Sequence, residues 1–81
     1  MVKVYFEIHR GSTVVPDPEG EEFANLADAR KEAEASLYDM LANDITSGEP
    51  LEPRRIAILD EGRNTLASIE LVADVKVKHE P

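Results

Sequence analysis

Val2-Lys3-Val4-Tyr5-Phe6-Glu7-Ile8-His9, residues 2–9, alternates without a break. Val2, Val4, Phe6 and Ile8 fall on one side, and Lys3, Tyr5, Glu7 and His9 on the other. Successive side chains of an extended chain point to opposite faces, so a period of two predicts a strand with one apolar face and one mixed face. The β-branched and aromatic residues in the run strengthen that reading. Arg10-Gly11 supplies a turn, because glycine tolerates positive φ. Residues 12–15, Ser-Thr-Val-Val, then return as a second strand. Pro16 and Pro18 lack N–H donors, which suits a strand end at a sheet edge. Asp17-Pro18-Glu19-Gly20 places Asp, Pro and Gly where a type I turn favours them.

Downstream the period changes. Leu26, Ala29, Ala33, Leu37, Met40, Leu41 and Ile45 recur at three- and four-residue steps, which predicts an amphipathic helix over about 26–46. Asn25 stands at its capping position, and Asp28 adds a carboxylate at the positive end of the helix dipole. Gly48 closes the segment, and Pro50 and Pro53 forbid its continuation, leaving 49–53 as a connector. Alternation resumes over 54–60 and 65–72, joined by a tight loop through Glu61, Gly62 and Arg63. The matching pattern sets Ile56 against Ile69 and Ile58 against Ala67 on the core side, with Leu59 against Leu66 on the other. Because alternation runs on through Ala73, Val75 and Val77, the last strand is expected to reach residue 77.

The order ββαββ predicts an α+β fold: a four-stranded antiparallel sheet in spatial order 2-1-3-4 with one amphipathic helix on one face, in a single small domain over residues 1–81. One helix covers one face. The other carries Tyr5, Ala57, Leu59, Leu66 and Val72 among Lys3, Glu7, Arg55 and Glu70. Together with Val75 and Val77 these form the expected interface: Tyr5, Ala57, Leu59, Leu66, Val72, Val75 and Val77. A domain this small buries only about 60–65% of its unfolded surface, so it gains from association with a second copy. The contact is expected through the uncovered face, or through Ala73–Val77 pairing with a strand of a second protomer. A half-apolar solvent face, common in antiparallel sheets, is the plainer alternative.

Charge and composition narrow the function classes. The formal net charge of the 81 residues is −8, and it sits almost wholly in residues 17–52, where eleven acids meet only Arg30 and Lys31. Phosphate contacts need clustered Lys and Arg, so neither a nucleic-acid nor an anionic-membrane partner is expected. Val, Ile, Leu and Phe make up 21 residues, above the level at which highly charged chains stay disordered. Absence of Cys excludes a disulfide scaffold, a thiolate zinc site and a cysteine nucleophile. No apolar run has the ~20 residues that span a bilayer, and the N-terminus lacks a signal-peptide pattern, so the expected location is cytoplasmic.

No catalytic constellation stands out. Gly11, Gly20, Gly48 and Gly62 are isolated, with turn or cap roles and no phosphate-binding loop. Glu7 and His9 share a strand face at a spacing that could begin a metal site, but a third ligand is not evident. Asp17, Glu19, Glu21 and Glu22 do not match the calcium-loop spacing. Ser12, Ser36, Ser47 and Ser68 lack a nucleophile elbow. Arg54-Arg55 with Arg63 is the one basic cluster, read as local charge compensation ahead of an anion or acidic-partner contact. Neither enzyme activity nor a cofactor or metal is therefore expected.

Tyr5-Phe6, Gly11, Asp17 followed by Gly20, Leu26-Ala27-Asp28-Ala29-Arg30-Lys31-Glu32-Ala33, Asp60-Glu61-Gly62 and Leu66 together resemble a family of small proteins of unknown function common in rhizobia and related alphaproteobacteria. The likeness spans Val2 to Leu71, with Glu7 standing where that pattern has Asp. It implies a bacterial origin and brings no catalytic residue. The function expected is thus a non-enzymatic interaction module, homodimeric or bound to another protein. An acidic inhibitor or antitoxin-like protein, docking a basic partner through residues 17–52, is second. A small-ligand or metal-binding enzyme comes third.

Overall fold

The alternating N-terminal run forms strand β1, Val2–Arg10, in a computed structural model that describes residues 1–48, 54–72 and 76–80, with side chains for 1–48 and 54–71. Gly11, at φ 55°, carries a two-residue turn into β2, Thr13–Val15, which pairs Arg10 with Thr13 and Ile8 with Val15. A strand the alternation did not announce, β3, Glu21–Phe23, follows. Helix α1 spans Leu26–Ser47, and β4, Arg54–Leu59, and β5, Thr65–Val72, come after it. The order β2-β1-β4-β5 is antiparallel at every step, with α1 packed on one face. The α+β architecture and strand order expected from the pattern are therefore present.

Strand β3 lies beside β2 on the same edge of β1, pairing Val2 with Phe23 and Val4 with Glu21. An acidic doublet has poor strand propensity, but an edge tolerates charge that a central strand would not. Phe23 anchors it, its ring stacked on Phe6 at 5.8 Å between centroids.

The last strand departs from expectation. Rather than β5 running to residue 77, a further strand β6, Lys76–Glu80, turns back and pairs Leu71 with Val77 and Val72 with Lys76. Alternation alone cannot distinguish a long strand from a strand and its antiparallel return, because both have period two. Residues 76 and 77 therefore pair with β5 of their own chain, while Ala73–Val75 lie outside the described residues.

Helix α1 forms as its caps dictate. The Asn25 side chain accepts from the Asp28 amide at 2.9 Å, and Gly48, at φ 74°, donates its N–H to the Asp44 and Ile45 carbonyls. Ala29, Ala33 and Leu37 are fully buried against Val4, Ile56, Ile58, Ala67 and Ile69, with Phe6, Ile8, Phe23, Leu26 and Met40 around them. Small side chains at 29 and 33 let the helix backbone approach the sheet, and Leu37 fills the space beyond. In the last turn the apolar stripe gives way. Ile45, expected inside, is 62% exposed, and Asp44 takes the inner position at 5%.

Candidate functional site

Ladder register builds the sheet face opposite α1 in three rows. Tyr5, Leu59 and Thr65 form one, Glu7, Ala57 and Ser68 the next, and His9, Arg55 and Glu70 the third. Ile56 and Ile58 meet Ile69 and Ala67 on the core side as expected, but a register irregularity after Ile58 sets Leu59 against Thr65 and not Leu66. A bulge of this kind adds one residue to one strand and ends the simple parity.

Tyr5 is enclosed by its own chain. A Cβ placed on Gly20, which has φ 75°, would lie 2.8 Å from the Tyr5 ring, so only glycine allows this approach. The Arg63 guanidinium sits 4.6 Å from the ring centroid and Lys3 Nζ 5.9 Å, both cation–π contacts. Between β2 and β3, Asp17 Oδ2 accepts the Phe6 amide at 3.2 Å. Asp17 Oδ1 accepts the Glu19 and Gly20 amides at 3.2 and 3.1 Å, so this side chain organises the bend. Partial burial raises the Asp17 pKa, but the amides of Gly20, Phe6 and Glu19 with the Arg63 charge outweigh it, and the net shift is downward. Asp60 is likewise lowered, foremost by the Asn64 amide, while it closes the β4–β5 turn.

Asp44 binds the other end. Arg10 Nη2 donates to its Oδ1 and Oδ2 at 3.2 and 3.0 Å, and the fully buried Arg54 pairs with Oδ2 through its own Nη2. The Arg54 hydrogen bond is the main reason that the Asp44 pKa is lowered; desolvation opposes it, and the Arg54 and Arg10 charges add to it. Helix α1 has no basic residue in its last turn, so two strand arginines supply the cations that its negative end favours. This cluster was not foreseen. Its signal was Asp44 falling at the three- and four-residue steps of the stripe, seven residues after Leu37 and three after Leu41.

Beside that corner, an open pocket of about 220 Å³ is lined by His9, Gly11, Arg54, Arg55 and Glu70. His9 Nε2 lies 2.8 Å from Glu7 Oε1. A carboxylate only accepts, so Nε2 is the donor and the imidazole is held in the plane of that bond. Among the described residues no group of three potential ligands could hold a metal, and no helix is long and apolar enough to cross a membrane.

The expected interface residues separate. Ala57 and Leu59 are 3% and 5% exposed and offer a partner little area; Tyr5 is half-buried under Gly20 and Arg63; Leu66 is open at 39%. The side chains of Val72, Val75 and Val77 fall outside those described. What the face presents around Ala57 and Ser68 is the polar set Glu7, His9, Arg55 and Glu70. A family model described as a domain of unknown function, DUF6894, matches residues 3–73. No curated protein and no solved structure matches the chain.

Proposed function

The chain belongs to the DUF6894 family, and from that premise, which fixes kinship without an activity, we propose a non-enzymatic interaction module that pairs with a second copy through the sheet face opposite α1. It would work in the cytoplasm of an alphaproteobacterium, in keeping with the resemblance of residues 2–71 and the lack of Cys. The supporting observation is one-sidedness: α1 packs on one face, and no second layer lies on the reverse among the described residues. Lys3, Arg55 and Arg63 share that side of the molecule with Glu7 and Glu70, a mixture of signs that can complement itself across a two-fold axis. A stable interface takes ~800 Å² from each partner, about a sixth of this chain's 5098 Å². Sedimentation equilibrium tests the reading. A dimer mass that falls to monomer in Arg55→Glu supports it; a wild type that stays monomeric at millimolar concentration overturns it.

A second reading keeps the acidic surface. Glu19, Glu21, Glu22, Asp28, Glu32 and Asp39 are exposed, whereas Asp17 and Asp44 are committed inward. An acidic inhibitor docking a basic protein through this side would lose its partner at moderate salt, unlike a contact made on the sheet.

A further inference from the structure

We infer that association through the reverse face is keyed by one reciprocal ion pair, Arg55 of each copy with Glu70 of the other, about a two-fold axis running along the strands between β4 and β5. Resting on the dimer proposed above, this pair selects the partner and its register. Arg55 and Glu70 are cross-strand neighbours in one row, and both are half-buried. The ion pairs among the described residues are His9–Glu7, Arg10–Asp44 and Arg54–Asp44, and none joins these two. Strand side chains stand roughly perpendicular to the sheet, so the row presents a cation beside an anion. A two-fold axis between them lays each charge over its opposite, and one contact is made twice. Other axes do worse. One running along β4 sets Arg55 over its own copy, and one along β5 does the same to Glu70. An axis across the strands sets Arg55 over itself, Ala57 or Leu59, so that like charges meet or a charge is buried unpaired. Midway down the chosen axis lie Ala57 and Ser68, paired in the ladder and nearly closed to solvent. These short side chains make a low floor on which two sheets reach the ~10 Å of face-to-face packing. Leu66, on the same face of β5 as Ser68 and open to solvent, adds apolar area at the far end. Aligned sheets cross at about −30°, which parts the outer strands and leaves β4 and β5 to carry the contact.

Charge reversal reads this pair, by sedimentation equilibrium of full-length chains. Arg55→Glu and Glu70→Arg each bring like charges together twice per dimer, and each alone weakens association by about a hundredfold or more. An equimolar mixture of the two variants restores the dimer mass, because every contact between the two chains is again between opposite charges. The double variant Arg55→Glu/Glu70→Arg associates with itself to within about tenfold of wild type. It keeps opposite signs side by side within one chain, and so separates loss of the pair from loss of the fold. Single variants that dissociate without recovery in the mixture or the double variant would overturn the pair and leave the face standing. Single variants that dimerise as tightly as wild type would place the contact elsewhere and overturn it too. A wild-type chain that stays monomeric removes the dimer itself, and this pairing with it.

Discussion

At the Tyr5 end of β1 a carboxylate faces backbone amides; at the Arg10 end a carboxylate faces two guanidiniums. Asp17 completes the edge of a sheet where two short strands leave a gap, and its partners are neutral dipoles on its own and a neighbouring segment. Asp44 reaches from the helix to two strands, and one of its partners is fully buried. The difference lies in what a lost carboxylate leaves behind. Amides released at Asp17 can turn to water, because the bend is at the surface. The Arg54 guanidinium at Asp44 is fully buried, and breaking a buried pair from one side costs far more than the pair itself contributes.

Asp44→Ala should therefore have the largest effect, lowering the thermal midpoint by roughly 10 °C or more in calorimetry. A midpoint close to wild type would show that water reaches Arg54 and that the two ends are alike. Gly20→Ala comes next, at about 1–3 kcal/mol by urea unfolding, from positive φ and the ring contact combined. Combined with Tyr5→Ala, the same change should cost only the backbone part, about 1 kcal/mol; equal costs in both backgrounds would mean that the ring moves aside freely. Asp17→Asn is the mildest, about 1 kcal/mol, since one acceptor oxygen survives. Its pH dependence has a definite sign. The folded pKa of Asp17 lies below the unfolded value near 3.9, so its contribution is complete above that value and lost as pH falls through the folded one. Urea midpoints of wild type and Asp17→Asn should converge on acidification below about pH 4; a constant gap would assign the loss to shape.

These contrasts also explain what could be read from the chain. Residues 2–9, the Asn25 and Gly48 caps and the Ile56–Ile69 pairing were legible because each rests on local periodicity or on a residue with one conformational talent. Strand β3 was not, since Glu21-Glu22-Phe23 forms only because β1 offers an open edge and Phe6 a ring to stack on. The return of β6 hides for another reason: period two carries no direction. Ile45 looked like core by type and spacing, yet the inner position in that turn belongs to Asp44, whose arginine partners lie 34 and 10 positions away. On the reverse face, parity placed Tyr5, Ala57 and Leu59 correctly and overstated their reach. Ala57 and Leu59 are nearly closed to solvent, and Gly20 leans on the tyrosine.

The Asp17–Phe6 bond has a bearing on the order of assembly. It joins positions eleven apart, within a segment that needs neither the helix nor β4. The Arg10–Asp44 contact spans thirty-four positions and waits for the helix to dock. Short loops close at smaller entropic cost than long ones, so the bend around Asp17 can organise the first hairpin and its edge early. The Arg10 arm of the corner then acts as a latch, closing over a layer whose lateral boundary has already been drawn.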